Sequence, residues 1–104
     1  MKRFFFIILL ISSKALFSQT YTLLEINSRW NASNTVNIDA IKGVNHLVVY
    51  LEDQPNSVKD KIKSVPVLIL YKDNTAIKQW NADISFKLTV PKEEVIKIIQ
   101  RLEK

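Results

Sequence analysis

Residues 25 to 34 read EINSRWNASN, and the fold turns on how that passage is divided. Glu25, Ile26 and Asn27 close the β-rich run TYTLLEIN that starts at Thr20, a run of the length expected for a buried strand. Asn31, Ser33 and Asn34 carry short side chains that accept hydrogen bonds from free backbone N–H groups, which a helix start requires. Downstream, Val36, Ala40, Ile41 and Val44 recur at helical spacing, and Gly43 stands where such a helix would end. The pattern predicts a strand, a capped turn and then one helix across NASNTVNIDAIKG, residues 31 to 43.

Working outward, NHLVVYLE from Asn45 is a second strand. DQPNSVKDKIKS is a turn followed by about two turns of helix that pack Val58 and Ile62. VPVLILYKDNTAIKQWNAD divides into two strands at Asp73-Asn74, a two-residue hairpin turn with Asn in place of the commoner Gly. TVPKEEVIKIIQRLEK has Pro91 in a first helical turn, Glu93 and Glu94 at the positive end and Lys97, Arg101 and Lys104 toward the other. Its apolar residues Val95, Ile98, Ile99 and Leu102 form the stripe of a helix laid on a sheet. The order is β-α-β-α-β-β-α, an α/β three-layer sandwich around a four-stranded mixed sheet. Between hairpin and last helix, NADISFKLTVPKE alternates Phe86, Leu88 and Val90; shaping a binding edge and covering the sheet are both open to it.

A chain of 104 residues holds one small domain, and 47% apolar with 24% charged residues is the composition of a folded one. The beginning, MKRFFFIILLISSKALFSQ, sets Lys2 and Arg3 before eight apolar residues, Phe4 to Ile11, and then small polar ones. This is the order of a secretory signal peptide, and the run falls short of the roughly twenty residues that span a bilayer. Small residues at Ala15 and Ser18 offer two cuts; the preferred one, after Ser18, divides the chain into a signal, 1–18, and a domain, 19–104. The product is exported, periplasmic or secreted, with no stable membrane insertion after cleavage. Lys2, Arg3 and Lys14 account for three of the formal +5, so the domain keeps +2. Its lysines are interleaved with acids, which excludes a nucleic-acid stripe.

There is no cysteine, hence no disulfide, no thiol chemistry and no thiolate metal site. His46 is the single histidine, has no second ligand at metal spacing and reads as a strand-entry residue. One glycine precludes a phosphate-cradling loop, and no Ser-His-acid or paired-carboxylate pattern is present. No metal and no cofactor are expected, and nothing in the residues sets an oligomeric state.

Two motifs in this element order resemble the thioredoxin family in its minimal form. In EINSRWNASN, Trp30 stands at the Trp of the family's W-C-x-x-C, and Asn31 and Asn34 stand at its two cysteines. Glu25, six residues before Asn31, stands where many thioredoxins keep a buried acid. In SVPVLILYKDN, Val65-Pro66 resembles the family's cis-proline segment that faces the redox loop. The resemblance covers nearly all of Thr20 to Lys104 and implies the thioredoxin-like fold. Its activity does not carry over, since exchange needs a thiolate to attack sulfur and an Asn amide is no nucleophile at neutral pH.

The resemblance implies a redox-inactive domain, not an enzyme, that binds a protein or extended peptide on the former active-site face. Candidate binding residues are Trp30, Asn31, Ser33, Asn34, Val65 and Pro66. Trp30 is an interface anchor or a ring on the sheet edge. The Asn31 to Asn34 run is a helix cap or a set of donors for a ligand. Val65 is a main-chain platform for strand addition, or Pro66 only shapes the strand entry. Glu25, partly buried and paired with a donor such as Asn34, holds the loop. Trp80 is packing. Two alternatives stand beside the binding module: a non-catalytic component of a thiol-disulfide system, and a scaffold with no ligand.

Overall fold

The computed structural model describes residues 20–103, so the expected signal peptide, 1–18, lies outside the described residues. Four strands form one sheet: β1 (Tyr21–Asn27), β2 (Val44–Tyr50), β3 (Val67–Lys72) and β4 (Thr75–Asn81), in the spatial order β2-β1-β3-β4. β1 lies parallel to β2 and antiparallel to β3, and β3 and β4 are the expected hairpin. Asp73 in its turn takes a left-handed φ of 54°, a conformation Asp tolerates better than most residues. Its backbone N–H donates to the Thr20 carbonyl, and its carboxylate accepts the Thr20 N–H at 3.0 Å, tying the turn to the start of β1.

Every residue of β1 is buried, as a central strand covered on both faces requires. Leu24 and Ile26 face one core with Val67, Ile69 and Tyr71, under Ile62 and Leu51. Tyr21 and Leu23 face the other with Val36, Leu68, Leu70, Val90 and Val95. The helix α1 (Asn56–Lys59) is shorter than expected, a single turn that buries Val58. The helix α2 (Lys92–Leu102) sets Val95, Ile98, Ile99 and Leu102 on the second core, as its stripe predicts. Among the described residues, no helix is long and apolar enough to cross a membrane.

The helix expected over residues 31–43 is absent. A single 3-10 turn, Arg29–Asn31, is followed by irregular chain up to β2. The segment is held by a distant partner: the Asn37 N–H donates to the Leu88 carbonyl at 2.8 Å, and the Val90 N–H donates to the Asn37 carbonyl at 3.0 Å. Val36 is buried, Asn37 exposed, Ile38 half-buried and Asp39 exposed. That alternation belongs to extended chain, and Val36 and Ile38 both reach the second core. Leu88 and Val90 pack there too, so this part of the segment after β4 covers the sheet.

Candidate functional site

Ile26 pairs with Val67, and Val67 with Asn81, so three segments meet at one end of the sheet. They are the loop after β1, the Val65-Pro66 approach to β3, and the chain that leaves β4. This end carries most of the residues the sequence singled out.

Its interior is an array of amides. Asn27, the last residue of β1, is fully buried. Its Nδ2 donates to the Asn31 carbonyl at 3.1 Å and to Glu25 Oε2 at 3.3 Å, while its Oδ1 accepts the Ser28 N–H at 2.9 Å. Asn31, also buried, donates through Nδ2 to Asn27 Oδ1 at 3.1 Å and to the Phe86 carbonyl at 3.0 Å. Its Oδ1 accepts Asn34 Nδ2 at 2.8 Å, and its carbonyl accepts the Asn34 N–H at 2.9 Å. The loop is closed by short polar side chains that bond neighbouring backbone and each other, the chemistry that makes Asn a poor helix former.

These contacts correct three expectations. Asn31 and Asn34 cap no helix, since Ser28 is the residue preceding the 3-10 turn and makes no side-chain cap bond. Asn31 also offers nothing outward, because both its amide atoms are engaged inside the fold. Ser33 is exposed and Asn34 half-buried. Glu25 lies against this array, and its donors are Asn27 and the Val36 N–H, in place of the expected Asn34. Burial raises its carboxyl above the ordinary value, and those two hydrogen bonds pull in the opposite direction. Sequence reasoning passed over Asn27; the available signal was a short amide at the last position of a buried strand.

Trp30 projects from the 3-10 turn with 65% of its surface exposed. Its ring meets Phe86 edge to face, with centroids 5.0 Å apart and planes at 86°. Phe86 holds a left-handed φ of 60°, stabilised where Asn31 takes its carbonyl and where its own N–H donates to the Asp83 carbonyl. The Asp83 carboxyl accepts the Ser85 N–H and hydroxyl, which hold it below the ordinary carboxylate value. Ile84, in the same loop, is 93% exposed. Beside Trp30, the Arg29 guanidinium pairs with Asp53 at 2.6 Å and lies 4.9 Å over the Tyr50 ring.

Val65-Pro66 is a cis peptide, in keeping with the motif's resemblance. Both residues are buried, and the Pro66 carbonyl accepts the Ala82 N–H at 3.1 Å. They present little surface. Trp80 packs on the second core and donates Nε1 to Glu94 at 2.8 Å. On the opposite face, a groove of about 680 Å³ runs between α1 and β4, floored by Ile26, Ile69 and Tyr71. No acid or histidine lines it.

The fold as a whole is similar to that of solved structures. One is thioredoxin-2, described as a component of malaria parasite protein secretion machinery, with a TM-score of 0.51 and 18% identity over 82% of this chain and 85% of that one. The fold is thioredoxin-like. At that identity the likeness is one of fold alone. No family model matches the sequence, and no curated protein matches it. Within the thioredoxin-like framework, the turn after β1 holds amides and no sulfur, and an aromatic pair stands at its rim.

Proposed function

We propose that the chain is an exported, redox-inactive thioredoxin-like domain that binds a protein or peptide through the rim of its amide-filled loop. The observation that carries this reading is Trp30: a large aromatic ring, 65% exposed, held in place by Phe86 and, through the Phe86 carbonyl, by buried Asn31. Exposed aromatic residues on a rigid base are the usual anchors of interfaces, since they cover much surface at small cost in conformational freedom. Phe86 extends the same surface and Ile84 is exposed two residues before it, while Asn31 supports Phe86 from inside. With no cysteine in the chain, nothing is available to carry disulfide exchange.

Photo-cross-linking from position 30, in the compartment that receives the exported chain, tests this reading. A discrete cross-linked partner, lost on Phe86→Ala, is expected. No captured partner, together with a Trp30→Ala strain indistinguishable from its parent, would favour the scaffold. An insulin-reduction assay should show no turnover, and dithiol-dependent reduction by the purified protein would sink the redox-inactive part.

A further inference from the structure

One face of the sheet lies under the eleven residues of α2, the other under the single turn of α1. Beyond Val58 and Ile62 the cover on the α1 side stops short of β4, and the groove of about 680 Å³ occupies the space that remains. That volume is within the range of small-molecule sites. Its floor is apolar and recessed, with Ile26, Ile69 and Tyr71 only 1%, 6% and 3% exposed. A slender chain reaches such a floor, whereas a flat protein or lipid surface does not. On the β4 side Ala76 pairs with Tyr71 and so shares the groove's face, where its methyl group fills little of the space.

The lining is one-sided in charge: it contains no acid, and its cations are Lys61 and Lys78. The Lys78 ammonium lies 5.8 Å over the ring of Trp80, which packs on the opposite face, so Lys61 on the α1 side is the cation at the groove. Lys61 is exposed and forms no ion pair with any described residue. Burial holds the Tyr71 phenol above its ordinary value, so the floor stays neutral at physiological pH. We propose that this groove binds a long-chain alkyl carboxylate, its chain laid over Ile26, Ile69 and Tyr71 and its head at the Lys61 ammonium. The methylenes leave water for apolar side chains, while the carboxylate stays solvated at the mouth beside an opposite charge. A cationic head would meet Lys61 and find no acid. A peptide strand is disfavoured on this side, because the bulge between Leu70 and Tyr71 and the charge of Lys78 guard the β4 edge.

Isothermal titration calorimetry of the purified protein with dodecanoate, below its micellar concentration, tests this. Saturable binding of one molecule per chain is expected, with decanoate about tenfold weaker because two fewer methylenes are buried. Dodecyltrimethylammonium, of the same chain length and opposite charge, should bind more weakly than dodecanoate, a comparison that needs no substitution. Lys61→Gln should weaken dodecanoate about twofold to fivefold, the worth of a solvated ion pair, and narrow the gap between the two amphiphiles. Ala76→Phe fills the groove from an exposed position and should weaken binding by more than about tenfold, with thermal unfolding checked against the parent. No saturable binding of dodecanoate, equal affinity for the two amphiphiles, or binding untouched by both Lys61→Gln and Ala76→Phe would each overturn the proposal. The last result would put the ligand on another apolar surface, such as the rim at Trp30.

Discussion

Removing the Asn31 side chain should unlatch the loop that presents Trp30. Asn31→Ala deletes three hydrogen bonds, to Asn27 Oδ1, to the Phe86 carbonyl and from Asn34 Nδ2. At a net value of about 0.5 to 1.5 kcal/mol each, the loss lies between about 1.5 and 4.5 kcal/mol. The lower half of that range applies, because Asn34 is only half-buried, Phe86 is exposed, and Asn27 Oδ1 keeps the Ser28 N–H. A loss of about 2 kcal/mol corresponds to roughly 8 to 16 °C in Tm for a domain of this size. Urea unfolding followed by circular dichroism measures it. Asn31→Asp sharpens the test: it keeps the shape and the acceptor for Asn34, but turns an acceptor toward Asn27 Oδ1 and the Phe86 carbonyl. It should therefore be less stable than the alanine variant at neutral pH and recover on acidification, when the protonated carboxyl regains a donor. An alanine variant within about 0.5 kcal/mol of the parent, the range of surface substitutions, would refute the reasoning.

Burial raises the Glu25 carboxyl, so the folded state binds its proton more tightly than the unfolded one, and stability falls as pH rises from the ordinary carboxyl range through the raised value. Glu25→Gln stays neutral, and its advantage over the parent in urea unfolding should be larger at about pH 8 than at about pH 4; a constant difference would contradict the burial argument. The side chains of residues 31 and 34 touch at 2.8 Å, so Asn31→Cys with Asn34→Cys should close a disulfide on oxidation, read by mass and thiol titration. Persistent free thiols would show that the turn does not match the redox turn it resembles. The Tyr21 hydroxyl donates to Glu103 at 2.6 Å, and burial, with that contact second, pushes its pKa up to about 12. Stability should fall as pH rises above about 10 toward that value, and Tyr21→Phe should flatten the fall in an alkaline unfolding series.

Strong local signals transferred to the structure almost unchanged. The run from Tyr21 to Asn27, the Asp73-Asn74 turn and the Val95, Ile98, Ile99, Leu102 stripe each specify an element from neighbouring residues alone. The segment from Asn31 to Gly43 carried two competing patterns. Val36, Ala40 and Ile41 fit a helix, while Val36, Asn37, Ile38 and Asp39 alternate as extended chain does. The second prevailed because Asn37 bonds Leu88 and Val90, about fifty residues away, and because Asn side chains compete for the backbone a helix would use. At the site, Trp30 is exposed and Val65-Pro66 is cis, as the sequence led one to expect, but the inward turn of Asn31 does not follow from the sequence.

The sequence by itself determined the number of strands, the hairpin, the last helix and the absence of cysteine, because each depends on residue identity or on contacts close along the chain. Only the tertiary structure decided which amides are buried, that Phe86 braces Trp30, and that β2 is an edge strand among the described residues. Those depend on which distant segments meet at one end of the sheet and which strand is left outermost. Residue identity says what an asparagine can bond; the packing around β1 says that Asn27 and Asn31 bond inward and leave the rim to Trp30.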